Sequence, residues 1–283
     1  MIDLIEAKPV GDSPITLDYS SSKVIVVGAA CEMGRETFRS LSQWEEIELV
    51  AAVDSTDIGK NMRDLVGGRS ANIKIEEKLG PVLDRMEADV LLDFSRSAAA
   101  LQHGVSAIKR GIAPILGGVS LSGPDLRELT IASKEHNVPA LVVPFFSLGA
   151  VLLSHLCERA AQWMSDAEII DTQPEHKQDQ PHRYAKAFAE AIAEGLENRK
   201  IHPHGWVKDQ TKTWNDVPMH KVRLKGSEPT QEVFFGSAGE TFKFQYEWKD
   251  PSAILEGLKL ALSSIRSLKG VTVGLDRLIF AKK

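Results

Sequence analysis

The sequence predicts an α/β protein: a Rossmann-type doubly wound parallel sheet, with a second α+β domain built on a mixed sheet. Three observations predict it. Short β-branched apolar runs alternate with helical periodicity through the first half. A glycine turn joins the first run to the first helix. After residue 147 the alternation gives way to a long helix and then to closely spaced strand candidates.

The first-half runs are Val24–Val27, Leu49–Val53, Val90–Phe94, Ala113–Leu116 and Ala140–Val143. The periodic pieces between them include Met33–Leu41, Ala98–Lys109 and Asp125–Lys134, the last preceded by Ser122-Gly123-Pro124 as a helix start. A long helix is expected over Leu148–Met164, and Phe188, Ile192 and Leu196 mark an amphipathic one. Strands follow at Met219–Leu224, Glu232–Phe235 and Thr241–Tyr246, the last two joined as a hairpin by Gly236-Ser237-Ala238-Gly239. A closing helix, Ala253–Leu268, and the segment Val271–Phe280 are read as returning to the first domain. The expected organisation is a polar lead over 1–22, a dinucleotide-binding domain over 23–146, an α+β domain for substrate or oligomerisation over 147–252, and the return over 253–283.

Composition narrows the function. A chain of 283 residues, 43% hydrophobic, has ample length to bury a core. Its net charge of -5, with both signs interleaved, gives no footprint for nucleic acid or an anionic membrane surface. The most apolar stretch, Val138–Leu156, is broken by Pro139 and Pro144 and reads as strand then helix, not as a membrane span. Two cysteines, Cys31 and Cys157, are too few for a disulfide framework and point to a reducing compartment. Residues 1–22 lack the basic start and apolar centre of a signal peptide and are too acidic for a transit peptide.

Chemistry is expected first at Val24–Arg35, a strand, a glycine turn and a helix start. Such a turn admits a pyrophosphate close to the backbone, at the positive end of a helix. Gly28, Ala29, Met33 and Gly34 are its candidate cofactor residues, and Asp54, ending the next run, is placed to bond an adenosine ribose hydroxyl of NADH or NADPH. Asp54 disfavours a 2′-phosphate, while Ser55 beside it tolerates one. Cys31 occupies the middle glycine position, which a small side chain fits if its φ is negative. His202, His204 and His220 lack a further ligand at metal spacing. Trp206, Trp214 and Trp248 read as core packing before they read as partner anchors.

Several blocks carry a resemblance: Gly28-Ala29 with Met33-Gly34-Arg35-Glu36, Asp93-Phe94-Ser95, Phe146-Ser147-Leu148-Gly149, Val222-Arg223-Leu224, and Gln231 through Gly236. With Lys177, Asp179, Pro181 and Ala185 in the segment Ile170–Ala185, the chain resembles the dihydrodipicolinate reductases over residues 22–280. The resemblance implies hydride transfer from NAD(P)H to a cyclic imine-like acid. A His would donate the proton, and a Lys with a Ser-Gly-Thr turn would hold carboxylates. It adds Phe94 and Gly117 to the cofactor set and implies a homo-oligomer, a tetramer built through the second domain's sheet.

The proton donor's position holds Gln173, its neighbour Pro174, and the substrate turn His182-Arg183-Tyr184. The loops elsewhere read Gly117-Gly118-Val119-Ser120 and Pro144-Phe145-Phe146-Ser147. A Gln exchanges no proton near neutral pH. Lys177 and His176 are therefore the catalytic candidates, and Arg183 and Tyr184 the candidates for contact with a substrate or partner. The altered positions resemble those of a chloroplast stromal member of the family that assembles the photosynthetic NAD(P)H dehydrogenase complex, with that complex's subunits as partners. The alternative is an NAD(P)H-dependent reductase of dihydrodipicolinate or another cyclic imine or unsaturated acid, in a bacterial cytoplasm.

Overall fold

The computed structural model describes residues 21–67, 72–95, 97–164, 166–176, 181–199 and 213–280. The described residues divide into two compact units, one drawn from the stretches 21–148 and 251–280 and the other from 149–250.

The first unit begins with β1 (Ser22–Val27), α1 (Glu32–Leu41), β2 (Ile47–Val53), α2 (Met62–Val66), β3 (Ile75–Glu76), α3 (Leu79–Arg85) and β4 (Val90–Asp93). It continues through α4 (Ser97–Ile108), β5 (Ala113–Gly117), α5 (Gly123–His136) and β6 (Ala140–Val143). Val24, Ile25 and Val26 in β1 and Leu91 and Leu92 in β4 have no exposure, as expected of parallel strands covered on both faces. Ile25, Val27, Ala51, Val53 and Leu91 pack with Val82 and Leu83 of α3 and Ala107 of α4 into one side of the core. At α5, Ser122 and Asp125 close a capping box and Asn137 ends the helix in a left-handed turn.

In the second unit come α6 (Leu148–Ala161), β7 (Asp166–Pro174), α7 (Arg183–Arg199), β8 (Thr213–Trp214), β9 (Val217–Leu224), β10 (Thr230–Ser237) and β11 (Glu240–Glu247). The sheet order is β11-β10-β7-β9-β8. It is mixed, because β7 and β9 run parallel while β10 is antiparallel to both β7 and β11. Along β7 the residues Ala167, Ile169, Asp171 and Gln173 are buried in strict alternation. Phe188, Ile192 and Leu196 of α7 are buried, as their spacing predicts. The hairpin turn is tighter than the sequence suggests: Ser237 pairs with Glu240, so only Ala238 and Gly239 lie outside the ladder.

The chain then re-enters the first unit as α8 (Leu255–Ser264), β12 (Val271–Val273) and α9 (Asp276–Ile279). The expected single helix over Ala253–Leu268 is instead a 3₁₀ turn at Pro251–Ile254, then α8, then a 3₁₀ turn at Ile265–Ser267. β12 pairs in parallel with β6 and completes the sheet order β12-β6-β5-β4-β1-β2-β3. That order reverses direction between β1 and β4, the crevice at which open α/β sheets bind ligands.

Gly195 marks the crossing of α6 and α7, since a Cβ there would lie 2.3 Å from the Glu158 carbonyl oxygen. Gly195→Ala is expected to destabilise the protein by about 1–3 kcal/mol through overpacking, despite the ~1 kcal/mol gain in helix propensity. A denaturant midpoint equal to or above that of the unmodified protein would contradict this packing.

Candidate active site

The first unit builds a nucleotide-type turn. Gly28 has φ +72, and its N–H donates to the Val53 carbonyl at 2.9 Å. Its missing side chain matters twice: the conformation is left-handed, and a Cβ would sit 3.1 Å from the Phe94 carbonyl carbon. At Gly34 a Cβ would lie 2.1 Å from the Gly28 carbonyl oxygen, so α1 can start this close to β1 only with glycine there.

Cys31 is compatible with the turn because it adopts φ -71 and ψ 164, extended backbone open to any residue. It caps α1, its Sγ accepting the Gly34 N–H at 3.3 Å. Desolvation of the sulfur holds the thiol above its ordinary pKa; the Gly34 and Met33 N–H groups oppose this, and the Asp54 and Glu32 carboxylates add to it. Both cysteines are free.

Asp54 is turned toward the loop. It accepts from the Ala30 N–H at 2.9 Å, and from the Thr56 N–H and hydroxyl, each at 2.9 Å. A carboxylate offers roughly four acceptor sites, so about one remains for a ribose hydroxyl. Arg35 and Lys60 both pair with Asp57, at 2.7 and 2.6 Å. Phe94 donates its N–H to Val27 at 3.0 Å, and its ring lies 5.8 Å from that of Phe146. Gly117 is closed in by these two rings, which a Cβ would meet at 2.5 Å (Phe146) and 3.1 Å (Phe94). Gly28, Ala29, Met33, Gly34, Asp54, Phe94 and Gly117 thus gather at or just beyond the C-terminal ends of β1, β2, β4 and β5. The extended backbone at Cys31 and the glycine cradle fit a dinucleotide.

The second unit gathers a different set. Asp171 is fully buried in β7 and receives four donors. Gln173 Nε2 and Gln231 Nε2 donate to Oδ1, each at 3.0 Å. The His182 main-chain N–H and Arg223 Nη2 donate to Oδ2, at 3.1 and 3.2 Å. Arg223 Nη1 also reaches the Asp171 carbonyl at 2.9 Å. Gln173, at the position the resemblance gives to a proton donor, is thus a fully buried strut of this cluster. Its Oε1, with Gln231 Oε1 and Arg223 Nε, is buried without a hydrogen-bond partner among the described residues. No single spacing in the sequence announces this cluster; the alternation along β7 is its one local signal.

His182 begins α7. Its carbonyl accepts the Lys186 N–H at 3.1 Å, and its Nδ1 accepts the Tyr184 N–H at 3.4 Å. The imidazole therefore occupies one of the first-turn donors that a Ser-Gly-Thr turn would offer to a carboxylate. Tyr184, expected at a substrate or partner contact, is only 2% exposed and packs on Tyr246 and Trp248 at 5.2 and 5.9 Å. That corrects the partner half of the expectation, because a side chain this deep in the unit's core cannot anchor a partner. Burial also raises its hydroxyl pKa, against the nearby Arg183. Arg183 stays exposed, its guanidinium 5.5 Å from the Tyr184 ring centre.

His176 is exposed in the turn after β7. Lys177 and Asp179 lie outside the described residues, as do His202, His204 and Trp206. Trp214 is half-buried, bonded to Glu190 and stacked by Lys186. His220 pairs with Glu168 at 2.7 Å, and no metal-ligating group of His, Cys, Asp and Glu occurs among the described residues. No helix among them is long and apolar enough to cross a membrane.

Residues 22–146 match the family model described as dihydrodipicolinate reductase, N-terminus, and residues 149–279 the one described as its C-terminus. The chain is 36% identical over 261 residues to a 4-hydroxy-tetrahydrodipicolinate reductase of Moorella thermoacetica, covering 91% of this chain and 97% of that one. A reductase of the same name from Syntrophomonas wolfei is 32% identical over 265 residues, covering 91% and 98%. Among solved structures, a dipicolinate-bound dihydrodipicolinate reductase from Paenisporosarcina sp. TG-14 superposes with a TM-score of 0.77 at 24% identity, covering 91% and 99%. That likeness is one of fold. The relatives' names favour the reductase alternative over the assembly role.

Removing one partner of a buried ion pair strands the other charge. Arg223→Met is therefore expected to destabilise the protein by about 3–5 kcal/mol. The double variant Asp171→Asn/Arg223→Met should lose less than the sum of the two single changes. Additive losses in urea melts would mean that the two side chains do not depend on each other.

Proposed function

The chain belongs to the dihydrodipicolinate reductase family, and on that premise we propose that it is an NAD(P)H-dependent oxidoreductase acting on a cyclic imine or unsaturated acid. The observation that carries the reading is the glycine turn, where Cys31 takes the middle position without backbone strain. A bound nicotinamide would supply the hydride; the chain's own residues seat the cofactor. Asp54 opposes a 2′-phosphate, and Asp57 already neutralises one of the nearby cations Arg35 and Lys60. We therefore assign NADH as the preferred cofactor.

The substrate is inferred to differ from that of the named relatives. Gln173 has one amide N–H committed to Asp171 and, as an amide, no acidic proton to give, while His182 takes a donor at the start of α7. General-acid catalysis contributes typically 10²–10⁴-fold, so a substrate that takes its proton from another group suits this site better. Lys177, His176 and Arg183 are the side chains proposed to serve it, in a homo-oligomer of the family type.

The same two residues support a second reading, in which the chain binds nucleotide but turns nothing over and serves as a stromal assembly factor for the chloroplast NAD(P)H dehydrogenase complex. Pull-down from a native extract separates the two. Recovery of that complex's subunits, with no turnover of cyclic imines, decides for assembly. Turnover of an imine abolished by Lys177→Ala decides for the reductase.

Titration with NADH is expected to enhance reduced-nicotinamide fluorescence at micromolar concentrations, with weaker binding of NADPH. Asp54→Asn should narrow that difference. Silence at millimolar levels of both cofactors would remove the oxidoreductase reading.

On 4-hydroxy-tetrahydrodipicolinate, activity is expected to be at least about 10²-fold below that of an authentic relative. Gln173→His alone should not restore it, because the donor and the carboxylate turn act as a unit. Steady-state assay of both proteins tests this, and turnover within about tenfold of the relative would return the chain to the family reaction.

A further inference from the structure

We infer that His103 is a positioning residue for the dinucleotide turn, acting through the buried carboxylate of Asp93. The inference rests on the cofactor reading above and adds to it a residue outside the glycine motif.

Asp93 ends β4 and is fully buried. Its Oδ2 lies 2.7 Å from His103 Nδ1 on α4, and its Oδ1 accepts the Ser95 N–H at 2.7 Å. Ser95 Oγ lies 3.4 Å from the same Nδ1. A Ser-His-Asp relay needs the serine and the carboxylate on opposite ring nitrogens. Here both use one nitrogen, so the trio is no nucleophile. What it does is clamp the backbone from Asp93 to Ser95.

That backbone is the seat of the nucleotide turn. Asp93 pairs with Val27 in the β1–β4 register, one residue before Gly28. Phe94 then donates its N–H to Val27 at 3.0 Å. The Phe94 carbonyl carbon, Cβ and carbonyl oxygen lie 3.1, 3.2 and 3.3 Å from where a Cβ on Gly28 would be. Gly28 is thus pressed against the segment that Asp93 holds in place. Without a donor from His103, half of a buried carboxylate loses its partner, and such a group is driven toward water. The turn would open, shifting Phe94 and with it the approach of Gly28 to a pyrophosphate.

The test is NADH binding by fluorescence titration, alongside thermal melting, for the unmodified protein, His103→Leu and His103→Asn. Asn keeps an N–H donor near the place of Nδ1. The expected result is that His103→Leu weakens NADH by about tenfold or more, ~1.4 kcal/mol. His103→Asn should bind within about threefold of the unmodified protein, ~0.65 kcal/mol. If His103→Leu fails to fold, the double variant Asp93→Asn/His103→Leu, which leaves no charge buried there, carries the same expected loss. Equal affinity in the unmodified protein and the Leu variant, or the double variant in its place, would overturn this inference alone. Equal loss in the Leu and Asn variants would assign the effect to the ring and overturn positioning through Asp93. No NADH binding by the unmodified protein would overturn the cofactor reading, and this inference with it.

Discussion

A carboxylate taken fully out of water must be matched donor for donor, and each unit of this protein is organised around one. In the second unit it is Asp171, to which β7, β9, β10 and the start of α7 each contribute a donor. The desolvation of a buried ion is repaid only by close, complete hydrogen bonding. Shifting β9 or β10 by one residue would turn Arg223 or Gln231 to the opposite face and leave Asp171 short. The carboxylate thus disfavours register slips in a sheet whose edges are otherwise set by turns and apolar faces.

The same demand shapes the chemistry. Gln173 sits where family resemblance places a proton donor, yet one of its amide N–H groups is spent on Asp171 and the residue has no exposure. His182 in the same way uses its ring nitrogen to cap α7. Both side chains are employed in holding the unit together. A kinship with reductases over nearly the whole chain stands beside these buried contacts.

In the first unit the constraint is steric as well as electrostatic. Gly34 admits the Gly28 carbonyl, and Gly28 admits the Phe94 backbone. These contacts bring β1, β4 and the first turn of α1 into one tight knot at the reversal of strand order. Cys31 is tolerated there because it stands in extended backbone at the helix cap, where its sulfur replaces the usual hydroxyl or carboxylate acceptor.

The sequence by itself determined the class of fold, most strands of the first sheet and the amphipathic face of α7, because apolar periodicity is a local property that survives without knowledge of neighbours. It also marked Gly28, Gly34 and Asp54, since the strand-turn-helix is contiguous. It did not reveal the short elements α2, β3 and α3, which carry too few residues for a period to emerge. It did not reveal that Tyr184 lies in the second unit's core, and it left Arg223 and Gln231 without a role. Those assignments depend on which residues meet Asp171 from strands 52 and 60 positions away along the chain. Only the tertiary structure decided that Gln173 faces inward to a buried carboxylate, because a side chain's partners are set by sheet register and not by its own spacing.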